Sequence, residues 1–232
     1  MNIKIFSDGA NKDIMLKMSK DPLISGLTTN PSLMKKSGIN DYKKFSLEIL
    51  SEIKNLPISL EVFSDDLYEM EKQATEISSW GDNVYVKIPI TNTKGESTSD
   101  LINNLSNKGI KLNVTAIMTI EQVEKIIPSM VNCKSGYISV FAGRIADTGI
   151  DPLPIMKKII EKVKNYDNLE VIWASSRELY NIIQAEQIGC HIITITSDIF
   201  NKIPMIGKNL NELSLDTVKT FYKDAYESGF KI

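Results

Sequence analysis

Short runs of β-branched and apolar residues alternate along this chain with stretches in which apolar residues recur every three to four positions. The first pattern marks strands and the second amphipathic helices. Their alternation from one end to the other is that of a parallel sheet built from βα units. Eight strands are expected, at residues 3–7, 23–27, 58–62, 84–88, 111–115, 137–141, 170–174 and 191–196. Helical patterns lie between them, among them 43–54, 67–79, 120–128 and 153–164, with Asp41, Ser64 and Thr119 expected as N-caps. Eight such units in 232 residues predict one domain, an α/β fold closed into a (β/α)₈ barrel rather than an open doubly wound sheet. After the last strand, residues 215–226 read as a C-terminal amphipathic helix. Its Val218, Phe221, Tyr222 and Ala225 would cover either the barrel or a neighbouring subunit. No glycine-rich dinucleotide fingerprint follows the first strand and no phosphate-loop lysine motif occurs, so two chemistries common on α/β folds lose their main support.

One position breaks the strand pattern. In Val84-Tyr85-Val86-Lys87-Ile88-Pro89 a lysine stands where a buried strand should carry only apolar or aromatic residues. Burial disfavours the ammonium form, so an amine there is expected to act as a nucleophile that forms a Schiff base with a carbonyl compound. The structural alternative is that Lys87 snorkels out of the strand end into water.

Composition narrows the chemistry further. A net charge of −2 with mixed signs offers no basic field for nucleic acid, and the lysine pairs at 35–36, 43–44 and 157–158 fall in helical patterns as solvated faces. No apolar run approaches the roughly 20 residues needed to cross a bilayer, and residues 1–6 lack the features of a signal peptide. The chain is therefore expected in the cytoplasm, with neither membrane nor nucleic acid as a partner. Cys133 and Cys190 lack a metal-binding spacing and His191 is the sole histidine, so no metal, cofactor or disulfide framework is expected.

A barrel of this kind assembles its site at the C-terminal ends of the strands, which is where unexpected polar residues collect. The first strand ends in Ser7-Asp8-Gly9, the second runs into Thr28-Thr29-Asn30-Pro31-Ser32, the third carries Glu61 and the fourth Lys87. The fifth carries Asn113 and Thr115, the sixth Ser139 and Phe141 followed by Arg144, and the seventh is followed by Ser175-Ser176-Arg177. Singly, each has a structural account: Asp8 and Asn30 can close turns, Glu61 can pair with a lysine, and Asn113 and Thr115 can satisfy loop backbone. Together at one rim they suggest a site. The period of two puts Asn113 with Thr115, and Ser139 with Phe141, on one face of each strand, which can be the barrel interior. Lys4, Lys111 and His191 fall at strand beginnings and are taken as structural. An amine that can condense with a ketone, carboxylates that can move protons, and arginines with small hydroxyl residues that can hold a phosphate suit carbon–carbon bond cleavage in a phosphorylated ketose.

These motifs resemble the transaldolase family, in particular its short single-domain branch, across nearly the whole chain. The resemblance rests on Ile5-Phe6-Ser7-Asp8-Gly9-Ala10, Gly26-Leu27-Thr28-Thr29-Asn30-Pro31-Ser32 and Val84-Tyr85-Val86-Lys87-Ile88-Pro89. It continues through Leu112-Asn113-Val114-Thr115, the segment from Ile138 to Ile145 and Ala174-Ser175-Ser176-Arg177. It implies that Lys87 forms a Schiff base with the ketose C2 carbonyl and that Asp8 takes the C4 hydroxyl proton as C3–C4 breaks. Glu61 and Thr115 would relay protons through a water. Asn30 and Asn113 would hold the dihydroxyacetone fragment, and Ser139, Arg144, Ser175 and Arg177 the acceptor's hydroxyl and phosphate. The standard substrates would be fructose 6-phosphate or sedoheptulose 7-phosphate as donor and erythrose 4-phosphate or glyceraldehyde 3-phosphate as acceptor, in the pentose phosphate pathway. A ring-like homo-oligomer, a pentamer or decamer, is a further implication.

Two positions bear on the branch. The family's fructose-6-phosphate aldolases carry Gln and Tyr where this chain has Glu61 and Phe141, so transfer is expected over free aldol cleavage. Arg144 and Arg177 together imply a phosphate, against the sulfosugar members that lack the first arginine. The chain departs from the family at Ser7 and Gly9, in the longer polar segment 91–97, and in the acidic segment 146–152 beside Arg144. These departures leave an unusual sugar open. Free aldol cleavage remains the runner-up, and a barrel that binds sugar phosphates without turning them over is the reading from another class.

Overall fold

The structure, a computed structural model, describes residues 2–232. Residues up to Phe200 form one compact unit and Asn201–Ile232 a second. The first begins β1 (Lys4–Asp8), α1 (Lys12–Met18), β2 (Ile24–Thr28), α2 (Pro31–Lys36), α3 (Tyr42–Glu52), β3 (Ile58–Glu61), α4 (Leu67–Ser78), β4 (Val84–Pro89) and α5 (Ser99–Asn107). It continues with β5 (Leu112–Ile117), α6 (Ile120–Met130), β6 (Gly136–Val140), α7 (Ala142–Asp147), α8 (Pro152–Val163), β7 (Leu169–Trp173), α9 (Tyr180–Gln187), β8 (Ile192–Ile195) and α10 (Ser197–Phe200). The strands close in sequence order, β1 to β8 and back to β1, every pair parallel. This is the TIM barrel that the alternation predicts. The second unit contains α11 (Leu210–Glu227), which covers the expected C-terminal helix and has no buried residue.

Strand ends agree with expectation to within a residue or two, the ordinary spread of element boundaries. Two helix readings need correction. Ser64 is not an N-cap: its Oγ accepts from the Asp66 backbone N–H, and Asp66 caps α4 by accepting from the N–H of Glu69 at 3.0 Å. An aspartate one residue before the first apolar position was the better candidate. The sixth helix also runs past Pro128 to Met130. Proline removes one hydrogen bond from its last turn, but Ile126, Ile127 and Met130 of that turn are buried, and tertiary packing holds it. Asp41 and Thr119 cap α3 and α6 as expected, Thr119 with Gln122 in a reciprocal capping box.

The pleat divides the barrel interior into two layers. Phe6, Tyr85, Tyr137, Ile172, Ala174 and Ile192 form one packed cluster. Tyr85 stacks on Tyr137 at 4.1 Å between centroids, and Phe6 meets Tyr137 edge-on at 5.6 Å. Gly26 leaves room for the Phe6 ring, since a Cβ there would lie 2.6 Å from it. Each of these large side chains contributes about 1.5–3 kcal/mol by leaving water, so this layer is a packed floor. Two residues further along each strand, the inward positions are polar: Asp8, Thr28, Lys87 and Ser139 follow Phe6, Gly26, Tyr85 and Tyr137.

The opposite ends of the strands carry the residues taken as structural. Lys4 pairs with Glu170 at 2.8 Å, and Lys111 donates to the carbonyl of Asp82. His191 accepts the Val171 N–H on Nδ1 at 3.1 Å. Burial holds that imidazole below its usual pKa, which keeps it neutral and able to accept.

Candidate active site

Above the aromatic floor lies a cavity of about 530 Å³. Ser7, Gly9 and Thr29 of the rim segments do not line it, but every residue given a role by the resemblance does, as does Phe141: Asp8, Asn30, Glu61, Lys87, Asn113, Thr115, Ser139, Phe141, Arg144, Ser175 and Arg177. They come from β1 to β7 and the loops just after them, and only closure of the sheet brings them together.

Lys87 is 6% exposed and does not snorkel out. Register pairs it with Glu61 on β3 and Asn113 on β5. Its Nζ lies 3.0 Å from Glu61 Oε2 and donates to the Thr29 carbonyl at 2.9 Å. The buried lysine therefore has one carboxylate and one backbone carbonyl as partners. The Tyr42 hydroxyl donates to the Glu61 backbone carbonyl at 2.8 Å and pins the end of β3 to α3. Across β1 and β2, Thr28 Oγ1 donates to Asp8 Oδ1 at 2.8 Å. Burial pushes the Asp8 carboxyl above the usual carboxylate range, against the pull of the Lys87 charge and the Thr28 hydrogen bond, and the Glu61 charge adds to the rise. A carboxyl so placed is ready to exchange a proton with a bound hydroxyl.

A second group is a buried relay of amide and hydroxyls. Ser139 Oγ donates to Asn113 Oδ1 at 2.7 Å, and Asn113 Nδ2 donates to Ser59 Oγ at 2.9 Å. The relay fixes the orientation of the Asn113 amide and leaves one Nδ2 hydrogen for a ligand. Thr115 Oγ1 is buried with no hydrogen-bond partner among the described residues, the condition in which a hydroxyl seeks a water or ligand. Asn30 does close a turn, its Oδ1 accepting the Leu33 N–H at 3.0 Å as the cap of α2.

The third group is cationic. Arg144 stacks over the Phe141 ring, 5.3 Å from its centroid. Arg177 is gripped by Asp147 through both carboxylate oxygens. Ser176 Oγ donates to the Thr194 carbonyl at 2.7 Å, so its hydroxyl hydrogen serves the β7–β8 connection rather than a ligand. Ser175 adopts a left-handed backbone, φ 64°, at the point where the chain leaves β7.

Ser59, Thr194 and Thr196 escaped the sequence reading, which placed Thr28 at the rim without a role and Asp147 in an acidic segment beside Arg144 without a partner. Ser59 precedes Glu61 by two positions, and Thr194 precedes Thr196 likewise, so the period of two that paired Asn113 with Thr115 was the available signal. Nothing local marked Asp147 as the partner of Arg177, 30 residues away. Among the described residues no cluster of three His, Cys, Asp or Glu side chains is placed to hold a metal, and no helix is long and apolar enough to cross a membrane.

The raised Asp8 carboxyl carries a stability consequence. A folded-state pKa above the unfolded one means that the native state loses stability as pH rises from the unfolded value through the folded one, and the loss persists at neutral pH. Asp8→Asn keeps an acceptor for Thr28 and removes the charge. The variant is expected to melt above the native protein at pH 7.5, with the gap narrowing as pH falls toward the carboxylate range. A melting temperature below native at pH 7.5 would refute this account.

Comparison with known proteins finds relatives along nearly the whole chain. A family model described as "Transaldolase/Fructose-6-phosphate aldolase" covers residues 5–232. A probable transaldolase of Thermoanaerobacter sp. (strain X514) is 35% identical over 99% of this chain and 100% of its own length. A probable transaldolase of Streptococcus equi subsp. zooepidemicus is 35% identical over 96% of this chain and 97% of its own, and one from Nitrosopumilus maritimus is 33% identical over 96% and 94%. Among solved structures, the tryptophan synthase α subunit of Campylobacter jejuni superposes with a TM-score of 0.57 at 14% identity, covering 84% of this chain and 86% of that one. That likeness concerns the barrel alone. The family match and the relatives run the length of the chain, through strands that deliver amine, carboxylates and arginines to one cavity, and the chain therefore belongs to the transaldolase/fructose-6-phosphate aldolase family, enzymes of the transferase and aldolase kind.

Proposed function

We propose that the chain is a transaldolase that moves a dihydroxyacetone unit from a ketose phosphate to an aldose phosphate through a Schiff base on Lys87. The observation that carries this reading is the buried Lys87 amine between Glu61 and the Thr29 carbonyl, on the floor of a cavity that also holds Asp8. Glu61 takes the ammonium proton, the amine adds to the C2 carbonyl, and water leaves with a proton returned by Glu61 through a water held at Thr115. Asp8 then removes the C4 hydroxyl proton. The C3–C4 bond breaks, its electron pair flows into the iminium, and the aldose phosphate departs while an enamine stays on Lys87. The acceptor aldehyde enters, the enamine carbon attacks its carbonyl, Asp8 returns the proton to the new hydroxyl, and water hydrolyses the imine.

Asn30 and Asn113 hold the hydroxyls of the fragment, and Ser139, Arg144, Ser175 and Arg177 the acceptor's hydroxyl and phosphate end. Fructose 6-phosphate and sedoheptulose 7-phosphate are the default donors, erythrose 4-phosphate and glyceraldehyde 3-phosphate the default acceptors. Free aldol cleavage is the second reading. Transfer is favoured by Phe141, which offers the cavity a ring with no hydroxyl to assist water at the enamine.

The test is reduction with sodium borohydride in the presence of fructose 6-phosphate, followed by intact and peptide mass spectrometry. The expected product is a dihydroxyacetone-sized adduct on Lys87. Absence of any adduct there on folded protein, with either standard donor, would overturn the proposal.

A further inference from the structure

Asp147 stands at the end of α7 and grips Arg177, which follows β7. Its Oδ1 accepts from Nε at 2.9 Å and its Oδ2 accepts from Nη2, so both carboxylate oxygens bind one edge of the guanidinium. Of the five guanidinium N–H donors, the pair leaves both hydrogens of Nη1 and one of Nη2, an edge that can still meet an oxyanion in bidentate fashion. Arg144, the other arginine of that end, is held by the Phe141 ring instead.

Stability does not account for the pair. The side chains of Arg177 and Asp147 are 44% and 53% exposed, and ion pairs in water contribute little to folding. Separate stretches of the chain nonetheless converge on it. Arg144 and Asp147 lie at i and i+3 on α7, on one face of the helix. Gly143, on the same turn, approaches the chain after β7 so closely that a Cβ would sit 1.7 Å from the Ser175 carbonyl oxygen. That approach brings Asp147 within reach of Arg177.

We propose that Asp147 is a positioning residue for the anion end of the cavity: it clamps the Nε–Nη2 edge of Arg177 so that the adjacent Nη1–Nη2 edge is presented to the phosphate of the sugar. One short helix thereby supplies one phosphate-binding cation, Arg144, and the anchor of the other. The inference rests on the phosphate-binding reading of Arg177 given above. A free arginine side chain loses rotamer freedom when it binds an anion, whereas one already held has less to lose. Asp147 also repels phosphate, but at this exposure water and salt weaken that repulsion, and the lost pre-organisation outweighs it.

Borohydride trapping on the full chain tests this. Asp147→Ala is expected to need about fivefold more fructose 6-phosphate for half-maximal adduct on Lys87, with the limiting extent unchanged. Asp147→Asn, whose amide oxygen can accept one of the two bonds, falls between. Dihydroxyacetone lacks the phosphate and reports Lys87 alone, so it labels all three proteins at one half-saturating concentration. Inorganic phosphate, titrated calorimetrically, binds in the same order as fructose 6-phosphate. An unchanged or lower requirement for fructose 6-phosphate in Asp147→Ala, or an equal shift with dihydroxyacetone, overturns the proposal. Native protein labelled by neither ketone overturns the Lys87 chemistry instead. The phosphate titration then decides Asp147 by itself, equal affinity in native protein and Asp147→Ala refuting it.

Discussion

Lys87→Met is expected to abolish turnover, with a loss of more than about 10⁴-fold in kcat, the scale on which removal of a covalent nucleophile acts. Methionine is one heavy atom shorter than lysine and keeps most of its volume but has no amine, so neither the Schiff base nor its enamine can form. The same change leaves the Glu61 carboxylate, 3.0 Å from Nζ in the native chain, without its cation. Removing one partner of an enclosed ion pair is destabilising, to a degree limited here because Glu61 retains some access to the cavity. The variant should therefore still fold, with native far-UV circular dichroism and a lowered melting temperature. Two assays check it: coupled turnover with fructose 6-phosphate and erythrose 4-phosphate, and borohydride labelling. Residual turnover within 100-fold of native, on a sample free of host transaldolase, would rule out the covalent route.

Gly143→Ala has the second largest expected effect, although Gly143 bears no chemistry. The 1.7 Å between its hypothetical Cβ and the Ser175 carbonyl oxygen is a contact with backbone, which has no rotamer through which to move away. Either α7 lifts from the end of β7 or the Ser175 turn shifts. Overpacking of this kind costs about 3 kcal/mol, which for a domain of this size lowers the melting temperature by roughly 6–12 °C. Because α7 carries both Arg144 and Asp147, the damage should be concentrated at the anion end. Half-saturation by fructose 6-phosphate should rise by more than tenfold, a loss of more than about 1.4 kcal/mol, while dihydroxyacetone still labels Lys87. A variant that melts within a degree of native and is labelled normally by fructose 6-phosphate would show that the close approach is unimportant.

Much of this architecture is legible one strand at a time. The alternation of short apolar runs with helical periods decides the (β/α)₈ order, because each pattern reflects only which face of a local element must leave water. The same local rule exposes Lys87: a charged residue in an otherwise apolar strand stands out without any knowledge of its neighbours. Caps at Asp41 and Thr119 are equally local, and Ser64 misled only because Asp66 lies two residues nearer the helix.

What only the tertiary structure decided is who meets whom. Register between β3 and β4 sets Glu61 opposite Lys87, and register between β1 and β2 lets Thr28 reach Asp8. Ser59, Asn113 and Ser139 become one relay although β3, β5 and β6 carry them. Asp147, an acidic residue in a loop-like stretch of sequence, becomes the partner of Arg177 because Gly143 lets α7 settle on Ser175. Periodicity is a property of neighbours along the chain and survives in the sequence as a pattern. Register, closure and close approach arise from packing between segments far apart in the chain, so no local pattern records them.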